Sequence, residues 1–252
     1  MEIFTYIYIF IVGLVLGSFF NVVGLRIPNN ESIVSPRSAC PGCKHQLTAG
    51  ELIPVFSYVL QRGKCRTCGN RISPLYPIVE LLTAILFTIS PLLVGWSKEL
   101  IVAWALVSLF MIIFVSDVKY MIIPDKILLV FAVFFVILRI FIPLTPWWSS
   151  IFGAIVGFSL LLLIAIISKG GMGGGDIKLF AVIGLIVGWK LVLLSFFLST
   201  LSGALLGGIG MLFRKIKRGK PFPFGPFIII GTLLAYYVGD VLIGWYLTFL
   251  LN

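Results

Sequence analysis

Runs of about 20 apolar residues recur along this chain, and each is long enough to cross the hydrocarbon core of a bilayer as a helix. They fall at roughly 4–24, 75–95, 99–118, 126–142, 148–168, 177–189, 191–213 and 224–249. No water is available inside a bilayer to satisfy free N–H and C=O groups, so a segment there pairs its own backbone as a helix. The expected fold class is therefore an all-α integral membrane protein of about eight spanning helices. The sixth run is short for a span, as a helix starting inside the protein would be.

Composition supports this. Of the 252 residues, 60% are hydrophobic and 11% are charged, against about 25% charged in a soluble domain. A soluble surface needs polar groups that this chain does not have. The net charge of +10 raises nucleic acid as a partner, but the basic residues stand in the links between apolar runs. That is the pattern that orients membrane proteins, and a nucleic-acid partner is not expected.

With the N-terminus outside, the inner segments carry Arg26, Arg37, Lys44, Arg62, Lys64, Arg66, Arg71, Lys119, Lys126, Lys169, Lys178, Arg214, Lys215, Lys217, Arg218 and Lys220. Those are 16 of 19 basic residues, leaving Lys98, Arg139 and Lys190 outside. The excess of Lys and Arg predicts both termini outside. Three parts follow: a first spanning helix at 1–24, a cytoplasmic loop domain at 25–74, and a seven-helix core at 75–252.

The loop holds all four cysteines, as Cys40-Pro-Gly-Cys43 and Cys65-Arg-Thr-Cys68, 21 residues apart. Zinc takes four soft ligands in a tetrahedron, and each Cys-x-x-Cys turn supplies two. Gly42 and Gly69 suit such turns. Four protein ligands close the coordination sphere, so this metal shapes the loop and leaves no open position for catalysis. Two disulfides or four unrelated thiols are the alternatives, and a reducing cytosol disfavours the first. His45, beside a knuckle, is not needed as a ligand.

Acidic residues are scarce, nine in all. Asp117 closes the third run and Asp176 opens the sixth, both at the inner membrane face. An ionisable group within a span is a functional hypothesis by default. Two carboxyl groups at close range hold one proton between them. The ionised member then takes a proton from water while the neutral one donates to a carbonyl, which is acid–base hydrolysis of a peptide. The glycines Gly170, Gly171, Gly173, Gly174 and Gly175 allow close backbone approach by an extended substrate. The bland alternative makes Asp176 a helix cap facing water. Asp125, after Ile123-Pro124, reads as an N-terminal cap. Glu80 is open between substrate contact, structural partner and methyl-transfer residue.

Six stretches, in order, resemble the type IV prepilin peptidases. These are Gly17-Ser-Phe-Phe-Asn21 with Arg26-Ile-Pro28; the paired cysteine knuckles around Ile53-Pro-Val-Phe-Ser-Tyr58; Tyr76-Pro-Ile-Val-Glu80; Asp117-Val-Lys-Tyr-Met-Ile-Ile-Pro-Asp125; Gly173-Gly-Gly-Asp176; and Pro223-Phe-Gly-Pro226. The resemblance implies a multi-pass protein of the bacterial inner membrane, with Asp117 and Asp176 catalytic. It implies cleavage of basic leaders from prepilins and pseudopilins at the cytoplasmic face, then N-methylation with S-adenosylmethionine. Expected partners are those substrates and the lipid bilayer. Alternatives are another Gly-x-Gly-Asp intramembrane protease, of preflagellin or signal-peptide peptidase type, or a non-enzymatic assembly factor or transporter. A transporter would place its charges near the bilayer midplane.

Overall fold

The computed structural model describes residues 2–169, 171–212 and 223–251. Gly170 and the basic run Arg214, Lys215, Lys217, Arg218 and Lys220 lie outside the described residues. Among those residues the regular elements are all helices, with no named strand. In order come α1 (Glu2–Arg26), a loop carrying the short α2 (Phe56–Leu60), α3 (Leu75–Val94), α4 (Glu99–Tyr120), α5 (Asp125–Phe141), α6 (Ser149–Ile167), α7 (Gly174–Leu212) and α8 (Gly225–Leu251).

Six of these are long and apolar enough to cross a membrane. The count rises to the expected eight for two reasons. First, α5 has 17 residues, at the lower end of the range that spans. Second, α7 is two helices in one element. Gly188, at φ 80° and ψ 174°, interrupts it. The rings of Phe180 and Phe196 lie 6.1 Å apart, whereas 16 residues of straight helix would separate them by about 24 Å. The chain therefore folds back at Gly188, and the runs 177–189 and 191–213 are its two arms. Only glycine takes that φ without strain, and a side chain there would also run into Ser149.

The chain divides into two compact units, Met1–Lys119 and Tyr120–Asn252. In the first, α1 lies directly on α3. A methyl group added at Gly13 or Gly17 would stand 2.6 Å and 2.7 Å from the Cα atoms of Ala84 and Glu80. Helices in lipid gain nothing from expelling water, so small residues that bring backbones together hold them by van der Waals contact. Gly24 meets α4 at Ile112 and Val115 in the same way. Trp104 of α4 stacks on Phe87 of α3 at 5.7 Å, and its indole N–H donates to the Phe87 carbonyl at 2.9 Å.

In the second unit, Gly153 and Gly157 of α6 face Gly184 and Phe180 of α7, again with no room for a Cβ. The turn at Gly188 leaves carbonyls of the first arm without their usual helical donors. Arg139, buried on α5, answers one of them. Its guanidinium donates to the Ile186 carbonyl through both Nε and Nη2, and to the Ile142 carbonyl through Nη1 at 3.2 Å. A cation at a helix C-terminus also opposes the dipole. This explains a charge inside an otherwise apolar region. Removing it orphans a buried carbonyl, so Arg139→Leu is expected to cost about 2–3 kcal/mol. Arg139→Lys should recover part of that. Unfolding of the purified protein in detergent measures both.

Candidate functional site

The metal loop is built from two copies of one turn. In the first, the Cys40 N–H donates to the His45 carbonyl and the Lys44 N–H to the Cys40 carbonyl, both at 2.9 Å. In the second, the Cys65 N–H donates to the Asn70 carbonyl and the Gly69 N–H to the Cys65 carbonyl, both at 2.9 Å. The residue after each closing cysteine takes a positive φ, 61° at Lys44 and 70° at Gly69. Gly69 thus fills the expected role. Gly42 does not. It is needed because a side chain there would stand 2.6 Å from the Asn70 amide of the other turn.

All four sulfurs lie within 4.8 Å of one another. Cys40 and Cys68 Sγ are 3.7 Å apart, and Cys43 and Cys65 Sγ are 3.9 Å apart. A disulfide needs about 2.05 Å. Four sulfurs at about 2.3 Å from one tetrahedral ion stand about 3.8 Å from each other. The spacing is that of a metal centre. Backbone N–H groups of Cys43 and Gly42 point at the Cys40 sulfur and bring its thiol down to about 6. Those of Cys68 and Thr67 lower Cys65 likewise. Such donors favour thiolate, the form that binds metal. The four cysteines are thus positioned to hold a metal ion.

His45 is not a ligand but a brace. Its Nε2 stands 3.3 Å from Glu51 Oε2. That carboxylate also accepts from the Thr48 N–H at 3.0 Å and the Thr48 hydroxyl at 2.9 Å. The backbone and side-chain bonds from Thr48 hold the Glu51 carboxyl below its ordinary value of 4.5. A carboxyl lowered on folding stabilises the folded loop at neutral pH, and that contribution disappears as pH falls through the folded value. Glu51→Gln should therefore remove part of the acid sensitivity of metal retention below pH 4.5. Metal release against pH, variant beside wild type, checks it.

The two aspartates sit in different units. Asp117 is buried near the C-terminal end of α4, next to the fully buried Ser116. Asp176 lies in the first turn of α7 and is half-exposed. The helix begins at Gly174, one turn before the expected start at 177. Asp176 is therefore not the capping residue. It is the third residue of the helix, where its carboxylate faces the positive end of the dipole. Its Oδ2 folds back over Gly173, within 3.1 Å of where a Cβ would be. Gly175 is the glycine that packing requires, since the Ile123 side chain lies against it. Asp125 also departs from expectation. It is the first residue of α5, and Pro124 holds the N-cap position. Asp125 pairs instead with Lys178 at 2.6 Å, fastening the start of α5 to the first turn of α7.

Two polar residues on the helices remain: Asn21, which the sequence places only in a motif, and Glu80, which it leaves open between three roles. Asn21 of α1 is 1% exposed, and its amide N–H donates to the Tyr76 carbonyl at 3.1 Å. Glu80 of α3, also buried, accepts from the Val55 N–H at 2.7 Å. Their place in apolar runs and in the resembling motifs marked them, but neither signal said that α1 and α3 bring them together.

Comparison with known proteins completes the description. Residues 11–94 match the bacterial peptidase A24 N-terminal domain, and residues 104–208 match the type IV leader peptidase family. The chain is 46% identical over 239 residues to a prepilin leader peptidase/N-methyltransferase of Bacillus subtilis (strain 168), covering 95% of this chain and 96% of the relative. It is 35% identical over 279 residues to one of Aeromonas hydrophila, covering 95% and 93%. It is 31% identical over 274 residues to one of Neisseria gonorrhoeae, covering 94% and 93%. No solved structure matches.

Proposed function

Because the chain belongs to the type IV leader peptidase family and is a peptidase of the membrane, we propose that it cleaves prepilin and pseudopilin leaders with Asp117 and Asp176 as its catalytic pair. The observation that carries this is the buried carboxylic acid Asp117 in an apolar helix, where an unused charge would be costly. Asp176 supplies the second acid from the start of another helix, with glycines around it.

In this mechanism the two carboxyls hold one proton. The ionised acid takes a proton from a water molecule as that water attacks the carbonyl carbon of the scissile bond. The neutral acid gives its proton to the carbonyl oxygen. Collapse of the tetrahedral species breaks the C–N bond, and the new amine leaves with a proton from the pair. The dipole at the start of α7 supports negative charge on Asp176.

Both termini face outward in this reading, so Asp117, Asp176 and the metal loop stand at the cytoplasmic face. That orientation lets the basic leader stay in the cytosol while the apolar part of the substrate remains in lipid. The ion in the four-cysteine centre is structural zinc. The new N-terminus is then methylated, the second activity in the relatives' names, with S-adenosylmethionine as the donor. Purified enzyme mixed with a prepilin, with and without S-adenosylmethionine, tests both halves. Loss of the leader mass reports cleavage, and a gain of about 14 Da on the mature chain reports methylation. An intact prepilin after prolonged incubation would overturn the proposal.

A further inference from the structure

A cavity of about 260 Å³ lies where the ends of α1 and α3 meet the metal loop, within the unit Met1–Lys119. Ser18, Asn21 and Glu80 line it from the helices, and Tyr58, Gln61 and Arg71 line it from the loop.

Asn21 has an orphan. Its Nδ2 is spent on the Tyr76 carbonyl, which fixes the orientation of the amide, since the reverse would set oxygen against oxygen. Oδ1 is then an acceptor, fully buried and without a partner. Leaving such a group unmade costs stability, so it calls for an explanation. Glu80 brings a second acceptor. Its Oε2 holds the Val55 N–H, in a backbone conformation of φ 61° and ψ −51° that a β-branched residue avoids. The fold thus strains the loop to bring it onto this carboxyl. Asn21 is one turn from Gly17, whose backbone touches Glu80, so both acceptors belong to one contact between helices. Arg26 also lines the cavity, as does Arg71. The Arg26 guanidinium donates to the Ser32 and Pro36 carbonyls at 2.8 Å and 2.7 Å.

We infer that this cavity binds a ligand through a protonated amino group, held by the Glu80 carboxyl and the Asn21 amide oxygen. The choice of ligand rests on the methyl-transfer half of the function proposed above. Two molecules in that reaction bring an α-ammonium: S-adenosylmethionine itself, and the freed N-terminus of the processed pilin. An ammonium donates three hydrogen bonds and accepts none, which complements a floor of acceptors.

Calorimetry on the purified full chain separates these sources. The probes are S-adenosylmethionine, its analogue lacking the α-amino group, a synthetic peptide of a mature pilin N-terminus with a free amine, and that peptide acetylated. One amine-bearing probe is expected to bind, and its partner without the amine to bind at least tenfold more weakly. Glu80→Gln and Asn21→Leu should each weaken it at least tenfold. Glu80→Gln keeps an oxygen for the Val55 N–H, so an unchanged zinc content and unfolding midpoint certify its fold. Binding of neither amine, equal binding with and without the amine, or wild-type affinity in a correctly folded Glu80→Gln protein overturns the inference. Prepilin cleavage and methylation are scored separately. Methylation by wild type alongside normal binding by the variants would sink the cavity and leave the function standing. Amine binding without methylation would do the reverse.

Discussion

Asp117→Asn and Asp176→Asn are each expected to lower leader cleavage at least about a thousandfold, the scale of a lost general acid or base. Asparagine is nearly isosteric with aspartate but neither takes nor gives a proton at neutral pH. Either change removes the shared proton, so the double variant should be no slower than the single ones. Residues that act as one unit are non-additive in this way. The check is the cleavage rate of a purified prepilin, read by mass, with each variant confirmed to be folded. Asp125→Asn is the informative contrast. Asp125 is exposed and paired with Lys178, and such pairs contribute about 0–1 kcal/mol, so cleavage should stay within a few-fold of wild type. A variant at Asp117 or Asp176 that cuts at a near-normal rate removes that residue from the mechanism.

Removing the metal should have the largest structural effect. The loop from Ile27 to Pro74 contains only one-turn helices and two isolated bridges, Ala39 with Gln46 and Lys64 with Arg71. Each bridge closes one cysteine turn, so both depend on the centre. Folding of small metal domains is linked to metal binding worth about 10–16 kcal/mol. Zinc is expected at about one per chain, and Cys40→Ser or Cys65→Ser should abolish it. Cys40 and Cys65 are the buried pair, so their loss also opens the core of the loop. Proteases should then cut between residues 30 and 72 while the helices stay intact. Elemental analysis and limited proteolysis decide this. A metal-free protein whose loop resists protease would refute the zinc assignment.

The loop bears on the cavity as well, because Cys40 and Cys65 line its wall beside Asn21 and Glu80. Stripping the metal should therefore weaken amine binding together with loop order.

Some of this was legible in the chain. Eight apolar runs appear as helices, with α7 hiding two of them because its hydrogen bonding continues up to a reversal at Gly188. The four cysteines come together as their spacing implied. The glycines around Asp176 were visible, but their work was not. Gly175 makes room for Ile123, and the helix starts early enough to place Asp176 inside its first turn. Asp125 looked like a cap because it follows a proline, yet its partner is Lys178, 53 residues away.

The sequence alone determined that the chain is helical and membrane-embedded, because a run of apolar side chains leaves the backbone no partner but itself. It also determined that the four cysteines gather where they could hold a metal ion, because two short thiol turns impose their geometry locally. Tertiary structure decided what the lone polar groups do. Arg139 serves the turn at Gly188, and Asn21 and Glu80 face one cavity, only because glycines let particular helices touch at a particular register. A register between helices is a property of two surfaces, and neither run of residues contains it.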